Sequence, residues 1–200
     1  MQLILATRNE HKLQEIQRIL GPKIAIRGLS SRDEVGEIDE TGSSYEENAI
    51  LKAVMVSRKV PGLVVADDSG IEVDALDGRP GVHSARYGGT NATDEGKINR
   101  LLNELARVRA KNDQRVARFR CVLAVARDGQ VLATFEGIVE GRIAERARGL
   151  HGFGYDPIFI PDGFENTFGE LAEEVKNNIS HRAKAIRKLQ TNLPLLSSKA

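Results

Sequence analysis

Three short apolar runs open this chain, and what lies between them decides its architecture. Gln2 to Ala6, Lys23 to Leu29 and Leu63 to Ala66 read as strands. Asn9 to Leu20 separates the first two, with Leu13, Ile16, Ile19 and Leu20 on one helical face. The "GP" at 21–22 ends that helix. Ahead of the third run, Ser43 or Ser44 caps a helix reaching about Val60, with Glu46 or Glu47 as capping-box partner. The segment from Ser30 to Gly42 is polar and acidic and reads as loop. Ile71 to Leu76 reads as a further strand, followed by a "GRPG" turn at 78–81.

Downstream, Thr93 caps a helix with Ile98, Leu101, Leu102 and Leu105 on one side. Phe119 to Ala126 and Gln130 to Phe135 flank "DG" at 128–129, an antiparallel hairpin signal, and Gly137 to Ala144 extends the sheet. Gly149 to Pro157 is a glycine-rich loop before a short strand, Ile158 to Ile160. A last helix starts at Ser180 and carries Ala183, Ile186, Leu189 and Leu193. Alternating βαβ units plus one hairpin predict an α/β fold with a mixed sheet.

At 200 residues the chain reads as a single domain, 1–200, with two lobes. A hydrophobic share of 40% and a charged share of 28% suit an ordinary globular core. The one cysteine, Cys121, excludes an internal disulfide framework, points to a reducing cytoplasm, and reads as a small buried hydrophobe in "RCVLAVA". A net charge of +1 gives no pull toward nucleic acid or a membrane surface, and neither is expected as a partner. "MQLILA" is too short for a signal sequence, and no window reaches membrane-spanning length.

Two helix starts break a local rule. Helix N-termini carry partial positive charge, which disfavours cations there. Yet "TRNEHK" brings Arg8, His11 and Lys12 to one first turn, offset only by Glu10, and "SHR" places His181 and Arg182 directly after a cap. Either these are solvated surface charges or an anion sits on them. Lys52 and Asn48 share a face of the middle helix and, taken alone, read as exposed polar residues.

The apolar run at 63–66 stops at two adjacent carboxylates, Asp67 and Asp68. Such a pair is costly unless something cationic lies between or beside it. Beside a polyphosphate that cation would be Mg²⁺, which takes one or two carboxylates plus phosphate oxygens and water. The plainer alternative has Asp67 capping a turn over Ser69-Gly70 and Asp68 in a salt bridge. Glu40, in "DETG", is a further carboxylate candidate. No phosphate-loop, dinucleotide or nucleophile-elbow pattern is present, and the four histidines lack zinc spacing.

Taken in order, "LATRNEHK", "ETGSSYEENAILKA", "ADDSGIEVDAL", "GRPGVHSARYGG", "HGFGYDPIF" and "NISHRAKA" span nearly the whole chain, and together they resemble the non-standard purine NTP pyrophosphatases, the inosine triphosphatase family. The resemblance implies cleavage of ITP, dITP and XTP between the α- and β-phosphates, giving monophosphate and pyrophosphate. It implies a Mg²⁺ requirement, a homodimer, and a long mixed central sheet flanked by helices, in two lobes with the active site in the cleft between them. By the same resemblance the stretch Thr7, Arg8, Asn9, Glu10, His11 and Lys12 binds substrate, with Thr7, Asn9 and Lys12 on phosphates and Lys52 beside them. Glu40 and Asp68 would serve the metal, Asp68 would be the base, and Ser69 would touch substrate. Phe153 would stack on the nucleobase, with Gly154, Tyr155, Asp156, Lys176, His181 and Arg182 completing the nucleoside pocket. Arg8 and His151 stand where the family often has glycine. The resemblance also moves "SHR" from phosphate to base, a choice the sequence physics alone does not make.

Two rival readings remain: a nucleotide-binding regulator that has lost its chemistry, and an RNA-associated protein. Intact Lys12, Glu40 and Asp68 speak against the first. The basic stretch Arg107 to Arg120 lacks interleaved aromatics beyond Phe119 and reads instead as a solvated loop.

Overall fold

The computed structural model describes residues 2–30, 35–36, 38–89 and 92–198. Part of the acidic segment between Ser30 and Gly42 lies outside the described residues. Among the described residues, six strands form one mixed sheet in the order β2-β1-β3-β4-β5-β6. They are β1 (Gln2–Leu5), β2 (Ala25–Gly28), β3 (Val64–Val73), β4 (Val116–Arg127), β5 (Gln130–Ile143) and β6 (Phe159–Pro161). Strand β1 pairs in parallel with both β2 and β3, as βαβ connections require, whereas β5 and β6 run antiparallel. The helices are α1 (Glu10–Leu20), α2 (Tyr45–Ser57), α3 (Asp94–Arg107), α4 (Glu173–Ile179) and α5 (His181–Ser198). Among the described residues, no helix is long and apolar enough to cross a membrane.

The caps explain where the helices begin. Asn9 accepts from the Lys12 N–H at 3.1 Å, Ser44 from Glu47 at 3.1 Å and Thr93 from Gly96 at 3.1 Å. Glu47 reaches back to the Ser43 N–H at 2.7 Å, so both serines take part in starting α2. The hairpin lies where "DG" places it, but its strands are longer than the sequence suggested, and Gly137 to Ala144 merges into β5 almost throughout. Helix α4 was not foreseen; at seven residues it is too short to show a clear periodic stripe. Ser180 lies between α4 and α5 and terminates the former.

The chain divides into two compact units. The first comprises residues 1–68, 121–137 and 181–200. Its core takes alternate residues, Leu3 and Leu5 of β1, Leu63 just before β3 and Val65 within it, and Cys121, Leu123 and Val125 of β4. Ile16 and Leu20 of α1 and Ile186, Leu189 and Leu193 of α5 close over them. The second unit comprises residues 69–120 and 138–180. Its core joins Ile71 and Val73 to Leu101 and Leu105 of α3 and to three aromatic rings. Phe119, Phe159 and Phe168 pack there, with Phe159 centroids 4.6 and 5.4 Å from the other two.

The basic stretch Arg107 to Arg120 is solvated loop only in part: Arg107 and Arg109 are exposed, but the stretch runs on into β4, and Arg115, Arg118 and Arg120 have partners within the fold. Buried Arg115 donates to the carbonyls of Ile143 and Ala144, both at 2.8 Å. Arg118 pairs with Asp74 at 2.9 Å and with Glu140 at 3.0 Å, and Arg120 reaches Glu72 at 3.3 Å.

Candidate active site

Strand β3 does not stop at the acidic pair. It continues through Asp67, Asp68, Ser69 and Gly70 to Val73, so Asp67 caps no turn and Ser69-Gly70 forms none. Side chains alternate across a strand, and this resolves the cost of adjacent like charges. Asp67 continues the face of Leu63 and Val65, whereas Asp68 shares the opposite face with Val64 and Ala66. Each carboxylate then meets its own cations.

Asp67 is fully enclosed. Its Oδ2 accepts from Arg182 Nε at 2.9 Å and from Cys121 Sγ at 3.1 Å, and its Oδ1 takes an ion pair from Lys12. Glu15 of α1 holds the other side of the guanidinium, 2.7 Å from Nη1. Burial alone would raise the Asp67 carboxyl, but the charges of Arg182 and Lys12 outweigh it and hold it well below the usual carboxylate range. Burial and the neighbouring carboxylate push the Cys121 thiol well up, so it stays protonated. The two cation-rich helix starts therefore share one anion, and in this structure that anion is a side chain of the protein.

Asp68 faces α2. Lys52 Nζ lies 2.8 Å from Asp68 Oδ1, 2.7 Å from Glu40 Oε1 and 2.8 Å from the carbonyl of Asp67. Asn48, one turn before Lys52, reaches Asp68 Oδ2 at 3.4 Å. Both α2 residues are buried, not exposed as the sequence suggested. Burial pushes the Asp68 carboxyl up to about 6 against the pull of Lys52. The Lys52 ammonium loses to burial but gains more from Asp68 and Glu40, so its pKa rises.

Two carboxylates converging on one cation are the donor set a hard divalent ion accepts. Among the described residues, no group of three or more His, Cys, Asp or Glu side chains could hold a metal. Glu40 and Asp68 would fit an ion that takes most of its shell from phosphate and water, as Mg²⁺ does.

A separate constellation lies in the second unit. Asp156 accepts from the Phe153 N–H at 2.8 Å and forms a buried ion pair with Lys176 at 2.6 Å. The Lys176 ammonium stands 4.9 Å from the centroid of the Phe153 ring. Gly152, at φ +75°, permits this turn, because a Cβ there would lie 2.0 Å from the Asp156 carboxylate. Gly154 donates to Asp94 at 2.7 Å, and the Tyr155 hydroxyl donates to the Ser84 carbonyl at 2.9 Å. Phe153 itself is half-buried and His151 beside it is exposed.

The Ham1 family profile matches residues 3–192. The chain belongs to the Ham1 family. A dITP/XTP pyrophosphatase of Bacillus subtilis (strain 168) is 49% identical over 187 residues, which cover 93% of each chain. One of the same name from Geobacillus kaustophilus (strain HTA426) is 47% identical over 189 residues, covering 94% of this chain and 92% of that one. Among solved structures, a HAM1 protein from Coxiella burnetii superimposes with a TM-score of 0.86 at 39% identity, covering 97% of this chain and 98% of that one. The Staphylococcus aureus Ham1 protein does so with 0.84 at 40% identity and the same coverage. The α/β fold with its mixed sheet is thus the Ham1 fold.

Within this Ham1 chain, the residues singled out from sequence fall into two groups. Lys12, Glu40, Lys52, Asp68 and Arg182 gather around the acidic pair, each within the first unit. Thr7 accepts from the Asn9 N–H at 3.1 Å, and Arg8 donates to the Val35 carbonyl. Glu10 and His11 are exposed on the first turn of α1, and His181 is buried at the start of α5. Phe153, Gly154, Tyr155, Asp156, Lys176 and Ser69 belong to the second unit. Sequence reasoning missed Glu15 and Asp94. Glu15 had a signal, since it lies next to Ile16 and three residues after Lys12 on the face that packs inward. Asp94 had none, because an acidic residue in a first turn is ordinary.

Proposed function

We propose that this Ham1 protein hydrolyses the non-standard purine triphosphates ITP, dITP and XTP to the monophosphate and pyrophosphate, in the cytoplasm, as a homodimer that requires Mg²⁺. The observation that carries the reading is the asymmetry of the acidic pair. One carboxylate is closed off by ion pairs, and its neighbour converges with Glu40 on a single cation, the Lys52 ammonium. The names of the curated relatives support the substrate class.

In this reading Lys12, Thr7 and Asn9 bind phosphate oxygens at the start of α1, where backbone N–H groups add their partial charge. Glu40 and Asp68 hold Mg²⁺, which when bound neutralises phosphate charge. Asp68 takes the proton of the attacking water, and Lys52 faces the same phosphates. Ser69 touches substrate. The Phe153 ring stacks on the base, fixed by Asp156 and Lys176. Arg8, Glu10 and His11 line the phosphate side, and Gly154, Tyr155, His181 and Arg182 the nucleoside side. Hypoxanthine and xanthine offer a C6 carbonyl that accepts, where adenine only donates, so cationic donors such as Arg182 would favour the former. In this structure the Arg182 guanidinium is buried in ion pairs with Asp67 and Glu15, so that role requires one of those pairs to open.

Pyrophosphate release from ITP, dITP, XTP and ATP, with Mg²⁺ and with EDTA, tests the proposal. Expected are release from the first three with Mg²⁺ only, and little from ATP. No release from any of the three with Mg²⁺ would overturn it.

A further inference from the structure

We infer that Lys52 is a resident cation that holds Glu40 and Asp68 together before metal arrives, and that an incoming divalent ion displaces its ammonium from between them. The inference rests on the metal seat proposed above. All three donors of an ammonium are accounted for by Glu40, Asp68 and the Asp67 carbonyl at 2.7, 2.8 and 2.8 Å. The ammonium thus occupies the point where the two carboxylates converge. A divalent ion seated on the same oxygens would need them at about 2.0–2.1 Å and cannot share that point with an ammonium. Two cations so close in a half-desolvated site repel strongly. Asp68 does not depend on Lys52 alone, because Asn48 steadies its other oxygen. Glu40, whose side chain keeps 22% of its exposure, leaves the ion a way in. Lys52 is rooted on α2 by a flexible four-carbon stem, so its head can leave without the helix moving, and becomes available to phosphate as the metal binds.

The device has a chemical logic. An empty seat with two converging carboxylates would be costly, and the lysine removes that cost until a metal takes over. The same charge then changes partners rather than being lost.

Two measurements test the exchange, both with Mg²⁺ alone and no nucleotide. In the wild-type protein, reductive methylation of lysines is followed by peptide mass spectrometry in EDTA and in saturating Mg²⁺, with exposed Lys23 as internal standard. Lys52 modification should rise severalfold with Mg²⁺ while Lys23 stays constant. By calorimetry, Lys52→Met should bind Mg²⁺ roughly tenfold more tightly, since a competing unit charge is removed. If Mg²⁺ binds and Glu40→Gln weakens it, but Lys52 stays protected and Lys52→Met binds no tighter, the displacement is wrong and the proposed function stands. If Mg²⁺ binds neither protein, the displacement is also wrong, and Mg²⁺-dependent pyrophosphate release decides the function separately.

Discussion

Asp67 and Asp68 are neighbours of one residue type on one strand, yet they live in opposite worlds. Asp67 is sealed among Arg182, Lys12 and Cys121 with no side-chain exposure, and Glu15 completes the set. Asp68 shares one ammonium with Glu40, and the side chains of Asp68, Lys52 and Glu40 keep 8%, 11% and 22% exposure. The first arrangement has no place for a ligand unless an ion pair breaks. The second is short of positive charge and keeps partial exposure, most of it at Glu40. A single strand, through its alternation, thus separates a carboxylate that holds structure from one that can do chemistry.

The comparison breaks if the two neighbours respond alike to the same substitution. Asp68→Asn should leave the thermal transition nearly in place and cut turnover of dITP by ~10²–10⁴-fold, the scale of a lost general base. Asp67→Asn should instead act on stability. It leaves the buried Arg182 charge short of a partner, which costs about 3–5 kcal/mol by denaturant unfolding. Turnover per folded molecule should fall less than in Asp68→Asn. Equal turnover losses with equal stability would erase the distinction.

The sequence carried the local features well. The caps at Ser44 and Thr93, the "DG" hairpin and the βαβ alternation are set by neighbours in the chain, and they were legible for that reason. The acidic pair was legible as an anomaly but not as a geometry. Ser69-Gly70 has good turn chemistry, and only pairing with neighbouring strands keeps it extended in β3. Arg182 pairs with residues 115 and 167 positions away, and no spacing rule reaches that far. The same holds for Arg115, whose carbonyl partners lie 28 and 29 residues on. Local rules gave the elements and named the candidates; tertiary pairing decided which charges were already taken.

Lys12 sharpens the comparison, because it is the one cation of the sealed set that keeps partial exposure, 18% of its side chain. If it also serves phosphate, Lys12→Ala should weaken triphosphate binding by about 1.5–3 kcal/mol, the worth of a charged hydrogen bond. Binding of the nucleoside inosine should change far less. Calorimetry with both ligands checks this, and an equal loss for both would confine Lys12 to its structural pair with Asp67.

The smallest effect is also the one that reads both carboxylates at once. Asp67 has its folded pKa depressed, so the stability it contributes is present above the ordinary carboxylate value of 3.8 and is lost only as pH falls through its much lower folded value. Asp68 has its folded pKa raised from 3.8 to about 6, so the fold binds its proton more tightly than the unfolded chain does. Its ionisation therefore costs stability, a cost that grows as pH rises from 3.8 and is complete above about 6. In EDTA, the unfolding free energy of wild type relative to Asp68→Asn should fall by on the order of 2 kcal/mol between pH 4 and pH 7. Relative to Asp67→Asn, wild type should keep a constant advantage over that window and lose it only at more acid pH. Opposite or identical slopes in the two comparisons would mean that the pair titrates as one shared site. The alternation of β3 would then not insulate one carboxylate from the other.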